Sequence, residues 1–345
     1  MKEALGTKSN GKHSFYAKQC RRILELLNAA KAPTNGEALF PVTGQNTAKY
    51  LQANYYFPGP MIVHGQQPAA LSTVEEFLGE VYDDCIMVDV QDPSLQVDCH
   101  EPHVRSMSMN QVKRRFGLPV QSTPLNCLEL ATHYEDGLRP HFLNGEGCRI
   151  LAHIKLPSQG ETASRMGYTA GWEEVEKWAL LAQAGALTEP HQDSYAYSTY
   201  ITANQGIVGF GWLAHPSAEE RAAWGDAHDT YVGDKWRYVI LRPGMTVYFP
   251  ARTVHFVFRH PDAGSTLAYG GHVLRCSQIV RWVKVLLDQQ QKPDIANEDI
   301  GVNIVGYLGR VEKYVKQAVK KGEVEKWGGQ ESIDEFLMLK AKSMG

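Results

Sequence analysis

From Asn126 to Arg275 the chain is written in short segments rich in β-branched and aromatic residues: NCLEL, CRILAHI, YSTYITA, GIVGFGWLA, WRYVILR, MTVYFP, VHFVFRH and STLAYGGHVLR, separated by Gly, Pro, Asn and Asp. Segments of this size and composition form strands. Their spacing is too tight for the helical crossovers of βαβ units, so the pattern predicts an antiparallel β-sandwich or barrel. One helical insertion interrupts it, SAEERAAWGDAHD at 217–229, with Ser217 as its N-cap.

The flanks read differently. Residues 16–31 carry apolar residues at helical spacing, and a second helix is predicted ahead of VEEFLGEVY, where Thr73 and Glu76 fit a capping box. CIMVDVQD at 85–92 reads as a strand, and QVKRRF as a short basic helix that follows Ser108 and ends at Gly117. Beyond Val280 the periodicity turns helical in IVRWVKVLLDQQ, VNIVGYLGRVEKYVKQAVKKG and SIDEFLMLKAK. The expected architecture is α+β with a mainly β core: a mixed region over 1–120, a β core over 121–280 and a helical extension over 281–345. That extension is expected to act as a lid, a brace for the sheet or a homodimer contact.

At 345 residues and 43% hydrophobic content the chain can bury a substantial core. Its 35 basic and 38 acidic residues give a net charge of -3, which excludes any general attraction to nucleic acid or anionic membrane. No apolar run reaches the length of a signal peptide core or a membrane span, so a soluble, cytoplasmic protein is expected, with the nucleus also open to it. The six cysteines are scattered without a CxxC pair, as free thiols in a reducing compartment would be.

The segment TEPHQD places His191 and Asp193 two residues apart at the head of an extended run. In a strand, residues i and i+2 share a face, and an imidazole and a carboxylate aimed together into a core are costly to desolvate unless paired or coordinated. A metal ion would satisfy both. Taken alone, HxD is common by chance. Downstream, RPGMTVYFPARTVHFVF puts His255 at the start of an apolar strand. Two histidines and one carboxylate on one face of an octahedron leave three positions open, the arrangement favoured by non-haem Fe(II) oxygenases.

TEPHQD, RPGMTVYFPARTVHFVF and STLAYGGHVL, with TVEEFL, VDVQDPSLQ, VRSMSMNQVKRRF and PLNCLEL upstream, resemble the Jumonji C (JmjC) branch of the cupin-fold Fe(II)/2-oxoglutarate-dependent dioxygenases, over roughly residues 60–290. The resemblance implies a double-stranded β-helix (jelly roll), an iron triad of His191, Asp193 and His255, bidentate 2-oxoglutarate and O2 as cosubstrate. It implies that Thr188 bonds the 2-oxoglutarate carboxylate. Two departures stand out. Many members carry a lysine on the strand after HxD, whereas Ser194 to Trp212 contains no Lys or Arg, leaving Arg259, His272, Arg275 or the hydroxyls of Tyr195, Tyr197 and Tyr200 as anchors. Arg252 stands where the family often has glycine.

The remaining histidines have plainer readings. Cys99-His100-Glu101-Pro102-His103 is expected to be a loop rather than a zinc site, His153 a hydrogen-bonded histidine in a core strand, and His133 and His141 residues near an entrance. Trp212 and Trp224 are expected to pack the core and lid rather than form a cage. The implied activity is oxidation of a C–H bond of a small molecule, by hydroxylation, cyclisation or desaturation. The alternatives are a protein side-chain hydroxylase or demethylase, and an inactive cupin-fold binding protein.

Overall fold

The computed structural model describes residues 15–41, 43–52, 56–65, 73–80, 83–95, 103–119, 123–131, 139–154, 176–296 and 304–343. The strands are β1 Met61–His64, β2 Met87–Gln91, β3 Val104–Ser108, β4 Asn126–Ala131, β5 Trp178–Ala182, β6 Leu187–His191, β7 Ser198–Gln205, β8 Val208–Leu213, β9 Trp236–Leu241, β10 Met245–Phe249, β11 His255–Arg259 and β12 Thr266–Val273. The helices are α1 Phe15–Ala29, α2 Gly44–Gln52, α3 Val74–Glu80, α4 Met109–Phe116, α5 Ile150–His153, α6 Ala218–Asp226, α7 Ile279–Gln291, α8 Ile304–Lys320 and α9 Gln330–Ser343.

The strands form an eight-stranded sheet in the order β1-β10-β7-β12-β5-β4-β2-β3 and a four-stranded sheet in the order β6-β11-β8-β9. Every pairing between named strands is antiparallel. Between the sheets lies one apolar cluster, with Trp178, Ile201, Val247 and Phe249 from the larger sheet and Phe210, Trp212, Leu241 and Val257 from the smaller. The period-2 alternation of the strands makes this possible. On β8, Phe210 and Trp212 face the core while Gly209 and Gly211 face outward; a Cβ at either would lie 2.1 and 2.2 Å from the rings of Phe258 and Phe256. The spacing GFG in this strand is therefore the imprint of two phenylalanines on its neighbour.

Those phenylalanines also explain α1. Its Tyr16, Cys20, Ile23 and Leu27 recur at helical spacing and pack with Phe256 and Phe258 on the outer face of the small sheet. At the other end of the chain, Trp282, Val283 and Leu286 of α7, Val311 and Val315 of α8 and Phe336 of α9 share a cluster that includes Ala196 and Tyr197. The C-terminal helices thus brace the segment that follows Asp193. Among the described residues no helix is long and apolar enough to cross a membrane.

The expected caps are present: Glu76 N donates to Thr73 Oγ1 at 3.0 Å and Thr73 N to Glu76 Oε2 at 2.7 Å, with the same reciprocal pair at Ser217 and Glu220. The segment CRILAHI is corrected from strand to helix: a 3-10 turn at Glu146–Cys148 leads into α5. Its apolar residues Ile150, Leu151 and Ile154 face one way at helical spacing and pack in the cluster of the C-terminal helices, a tertiary contact that overrides β propensity. His153 is accordingly not in a core strand; it is exposed, 3.4 Å from Glu146 and stacked on Tyr314. Strand β5, WALLA, carries no sequence signal of its own, because all five residues are buried and the alternation that marks a strand is missing.

The five described cysteines form no disulfide, and Cys85 is the exposed one among them. Cys99, His100, Glu101, Pro102 and His133 lie outside the described residues.

Candidate metal centre

The centre is built where β6 and β11 pair. His191 and His255 are direct partners in this antiparallel ladder, but Thr188 pairs with Val257, so β6 carries one extra residue between the two registers. Pro190 falls in that bulge, where a missing N–H interrupts nothing. The bulge turns both Thr188 and His191 toward the core, which strict alternation forbids for residues three apart. On β11, His255 and Arg259 face the core and Phe256 and Phe258 face α1.

Asp193 is not part of the strand, a correction to the simple HxD argument. It lies two residues beyond the end of β6 and reaches back with φ −62° and ψ 138°. Its Oδ1 stands 3.6 Å from His191 Nε2 and 3.5 Å from His255 Nε2. Metal bonds of ~2.1 Å at right angles put neighbouring ligand atoms about 3 Å apart, so a small contraction around an ion closes the set. The three residues have ligand atoms within 4.8 Å of one another.

Both imidazoles are held in the tautomer a metal needs. His191 Nδ1 donates to the carbonyl of Glu189 at 2.8 Å and His255 Nδ1 to that of Thr253 at 3.1 Å, which leaves the Nε2 lone pairs directed at Asp193. Burial lowers His255 to about 4 against the pull of Asp193, so it is neutral at ordinary pH. Burial works to raise the Asp193 carboxyl, and His255 and His191 beside it outweigh that, holding it below the usual carboxylate range. Two imidazoles whose Nε2 atoms converge on an ionised carboxylate fit a divalent cation.

No family model and no curated protein matches this chain.

Around the triad the structure adds residues that the sequence does not advertise. The Thr199 hydroxyl donates to Asp193 Oδ2. Having spent its one proton there, it accepts from His272 Nδ1 at 2.9 Å. Gln289 of α7, fully buried, donates to the Asp193 carbonyl at 2.7 Å and accepts from Ala196 N at 3.0 Å, while Trp282 Nε1 donates to the Tyr195 carbonyl at 2.8 Å. These bonds fix a loop in which Tyr195 and Ala196 have positive φ, 56° and 53°. Phe249 and Phe210 pack on the His255 ring with centroids 4.6 and 5.4 Å away.

At the far end of β11 the chain buries Arg259 at 1% exposure. Its Nη1 donates to Thr188 Oγ1 at 3.3 Å, which also accepts from Asn126 Nδ2 at 3.4 Å, and Asn126 Nδ2 in turn donates to Gln91 Oε1 at 2.8 Å. Arg259 Nε and Asn126 Oδ1 are buried without hydrogen-bond partners. Burial, with no carboxylate opposing it among the described residues, pushes Arg259 down to about 10.

Of the other expected anchors, Tyr200 faces away from the triad. It alternates with Thr199 on β7, donates to the Glu176 carbonyl at 3.2 Å and packs with Met61 and Tyr248 on the outer side of the larger sheet. Arg275 is likewise engaged elsewhere, donating to the Leu51 carbonyl. His272 does reach the site, beside Asp193 rather than at the Arg259 end. His141 lies exposed on a 3-10 turn, and Trp212 and Trp224 are core residues at 1% and 0% exposure.

Proposed function

We propose that the protein is a non-haem Fe(II)- and 2-oxoglutarate-dependent oxygenase of JmjC type acting on a small molecule, with His191, Asp193 and His255 as the iron ligands. The observation that carries this is the layout of β11: a histidine of the triad at one end and, roughly 13 Å along the strand, a buried guanidinium at the other that has no carboxylate partner among the described residues. A lone buried charge is unfavourable unless an anion completes it. A diacid that chelates the metal with one end and meets Arg259 and Thr188 with the other supplies that anion. The sheet orders β10-β7-β12-β5 and β6-β11-β8-β9 are those expected of a double-stranded β-helix, which supports the same reading.

Bound iron with 2-oxoglutarate and O2 supplies oxidation of a substrate C–H bond, with succinate and CO2 as coproducts. The protein's residues do the rest. The Nδ1 bonds to backbone carbonyls orient both histidines, and Thr199 and His272 fix which Asp193 oxygen is free to ligate. Phe210 and Phe249 keep water from His255, and Arg259, Thr188 and Asn126 set the depth at which the cosubstrate stops.

The test is anaerobic addition of Fe(II) and 2-oxoglutarate to the purified protein, watching for the weak visible charge-transfer band of the chelate. A band that vanishes in His191→Ala supports the reading. Bound metal without a band in the wild type would point instead to a metal-holding cupin without turnover.

A further inference from the structure

The larger sheet ends on β3, whose one sheet neighbour among the described residues is β2. The register of that pair decides which backbone groups of β3 are spent. Asp92 N donates to the His103 carbonyl at 2.7 Å and Met109 N to the Ile86 carbonyl at 2.8 Å, and the pairing runs between them without a shift. Hydrogen-bonded and non-bonded pairs alternate in an antiparallel ladder, so Arg105 and Met107 turn their N–H and C=O to β2, while Val104, Ser106 and Ser108 turn theirs away. Ser108 N donates to Gln111 Oε1 at 2.9 Å in the cap of α4. The N–H and C=O of Val104 and Ser106 have no hydrogen-bond partner among the described residues.

Beside this free edge lies a recess of about 330 Å³, lined by Arg105, Ser106 and Met107 of β3 and by Gln111, Arg114 and Arg115 of α4. The lining holds three guanidiniums and no carboxylate. Arg105 is answered by the buried Asp92, 2.7 Å from its Nη2, and Asp92 also accepts from Ser94 N at 3.0 Å and Ser94 Oγ at 2.6 Å. On α4, Lys113 pairs with Asp84 at 2.7 Å. Arg114 and Arg115 have no ion pair among the described residues. The helix dipole favours basic residues in a last turn, which accounts for the run of Lys113, Arg114 and Arg115. It does not account for a recess that sets two of them beside an unpaired strand edge.

The two faces of β3 differ. Arg105 and Met107 share a face with Val90 and Val88, their partners on β2, and Met107 and Val90 pack in one cluster with residues of α3 and α4. Val104 and Ser106 point the other way, as does Met87, and there Val104 and Met87 are 38% and 58% exposed. A strand added to β3 alternates in the same way. Every second side chain falls on the arginine side, and those between fall on the side of Val104.

We infer that the β3 edge docks an extended acidic segment of a partner protein, with carboxylates at alternate positions for Arg105, Arg114 and Arg115 and β-branched residues between them on the side of Val104. Arginines on the edge repel a second copy of the same edge. A free phosphate engages the guanidiniums alone, whereas a peptide strand engages the guanidiniums and the backbone of Ser106 together. The inference does not rest on the oxygenase reading.

The full-length protein, with no added metal, is titrated at low salt with a fluorescein-labelled hexapeptide in which Thr and Glu alternate, following anisotropy. One comparison peptide has Lys in place of Glu, and another has the same Thr and Glu residues in two blocks. The alternating acidic peptide should bind saturably, roughly tenfold or more tighter than the Lys peptide and several-fold tighter than the block peptide. Arg114→Gln and Arg115→Gln should each weaken it roughly tenfold. Ser106→Pro should weaken it as much while melting close to the wild type, because proline removes an N–H that β2 does not use; if that variant does not fold, the block peptide supplies the same test of strand pairing. No saturable binding, wild-type affinity in both folded arginine variants, or block-peptide binding as tight as that of the alternating peptide would overturn the inference. So would displacement of the peptide by inorganic phosphate at equal concentration, which would make the recess a site for a small anion.

Discussion

Two cationic regions of the molecule differ in how their charge is answered. Arg259 is sealed at 1% exposure with one hydroxyl and an asparagine for company. The cluster of Arg221, Arg252 and Arg281 is partly open, leans on an aromatic ring and keeps one carboxylate. A sealed charge with no ion partner among the described residues gains most from a bound anion, whereas the half-open cluster has a carboxylate of its own and solvent to answer it. Removing each charge in turn tests the contrast.

The largest effect should come from the candidate metal centre itself. Asp193→Ala removes the carboxylate of the triad, and metal affinity should fall by more than about 100-fold, since even partners outside the ligand set are worth 10–100-fold. Calorimetric titration with Fe(II) or Mn(II) measures it.

Arg259→Leu comes next. A charged hydrogen bond to a carboxylate is worth about 1.5–3 kcal/mol, so the apparent affinity for 2-oxoglutarate should drop roughly 10–100-fold. Because the deleted charge has no carboxylate partner among the described residues, the melting temperature should hold or rise. A steep loss of stability would instead make Arg259 a structural residue. Arg221→Gln is the matching control and should leave 2-oxoglutarate affinity unchanged.

How these residues emerge from the sequence follows the same divide. The triad and Arg259 were legible because strand periodicity and the HxD spacing report on residues a few positions apart in one ladder. Thr188 was legible by resemblance, although the bulge at Pro190 that turns it inward was not, since a bulge is set by pairing with another strand. Tyr200 was misplaced for a related reason: whether 199 or 200 faces the core depends on where β7 begins, and the chain carries no mark of that. Strand β5 was silent because a strand buried on both faces has no alternation. Gln289 and Trp282 were out of reach altogether, being brought beside the Asp193 loop by a helix distant in sequence.

Gln289 tests the brace that serves the metal side of the comparison. Gln289→Leu leaves the Asp193 carbonyl and Ala196 N–H without their partners in a buried place, which should destabilise the fold by about 1–3 kcal/mol. With the loop less firmly held, metal affinity should fall roughly tenfold. Gln289→Glu, which keeps the acceptor for Ala196 N, separates the two bonds. A variant that loses stability while binding metal as tightly as the wild type would show that α7 supports the fold without positioning Asp193.

The smallest change in stability is expected at Arg252, which joins the β10–β11 turn to α7 through Asp288. Glycine there relieves a φ of 71°, a gain of about 1 kcal/mol or more. Against this stand the pair with Asp288, partly exposed on both sides and so worth about 0–1 kcal/mol, and the greater freedom of glycine in the unfolded chain, about 0.4–1 kcal/mol. The Arg221 contact survives, because its acceptor is the backbone carbonyl of residue 252. The contributions nearly cancel, so Arg252→Gly should melt within a few degrees of the wild type, as calorimetry would show. A marked fall in melting temperature would instead make Arg252 a tether that holds the β10–β11 turn to α7 through Asp288.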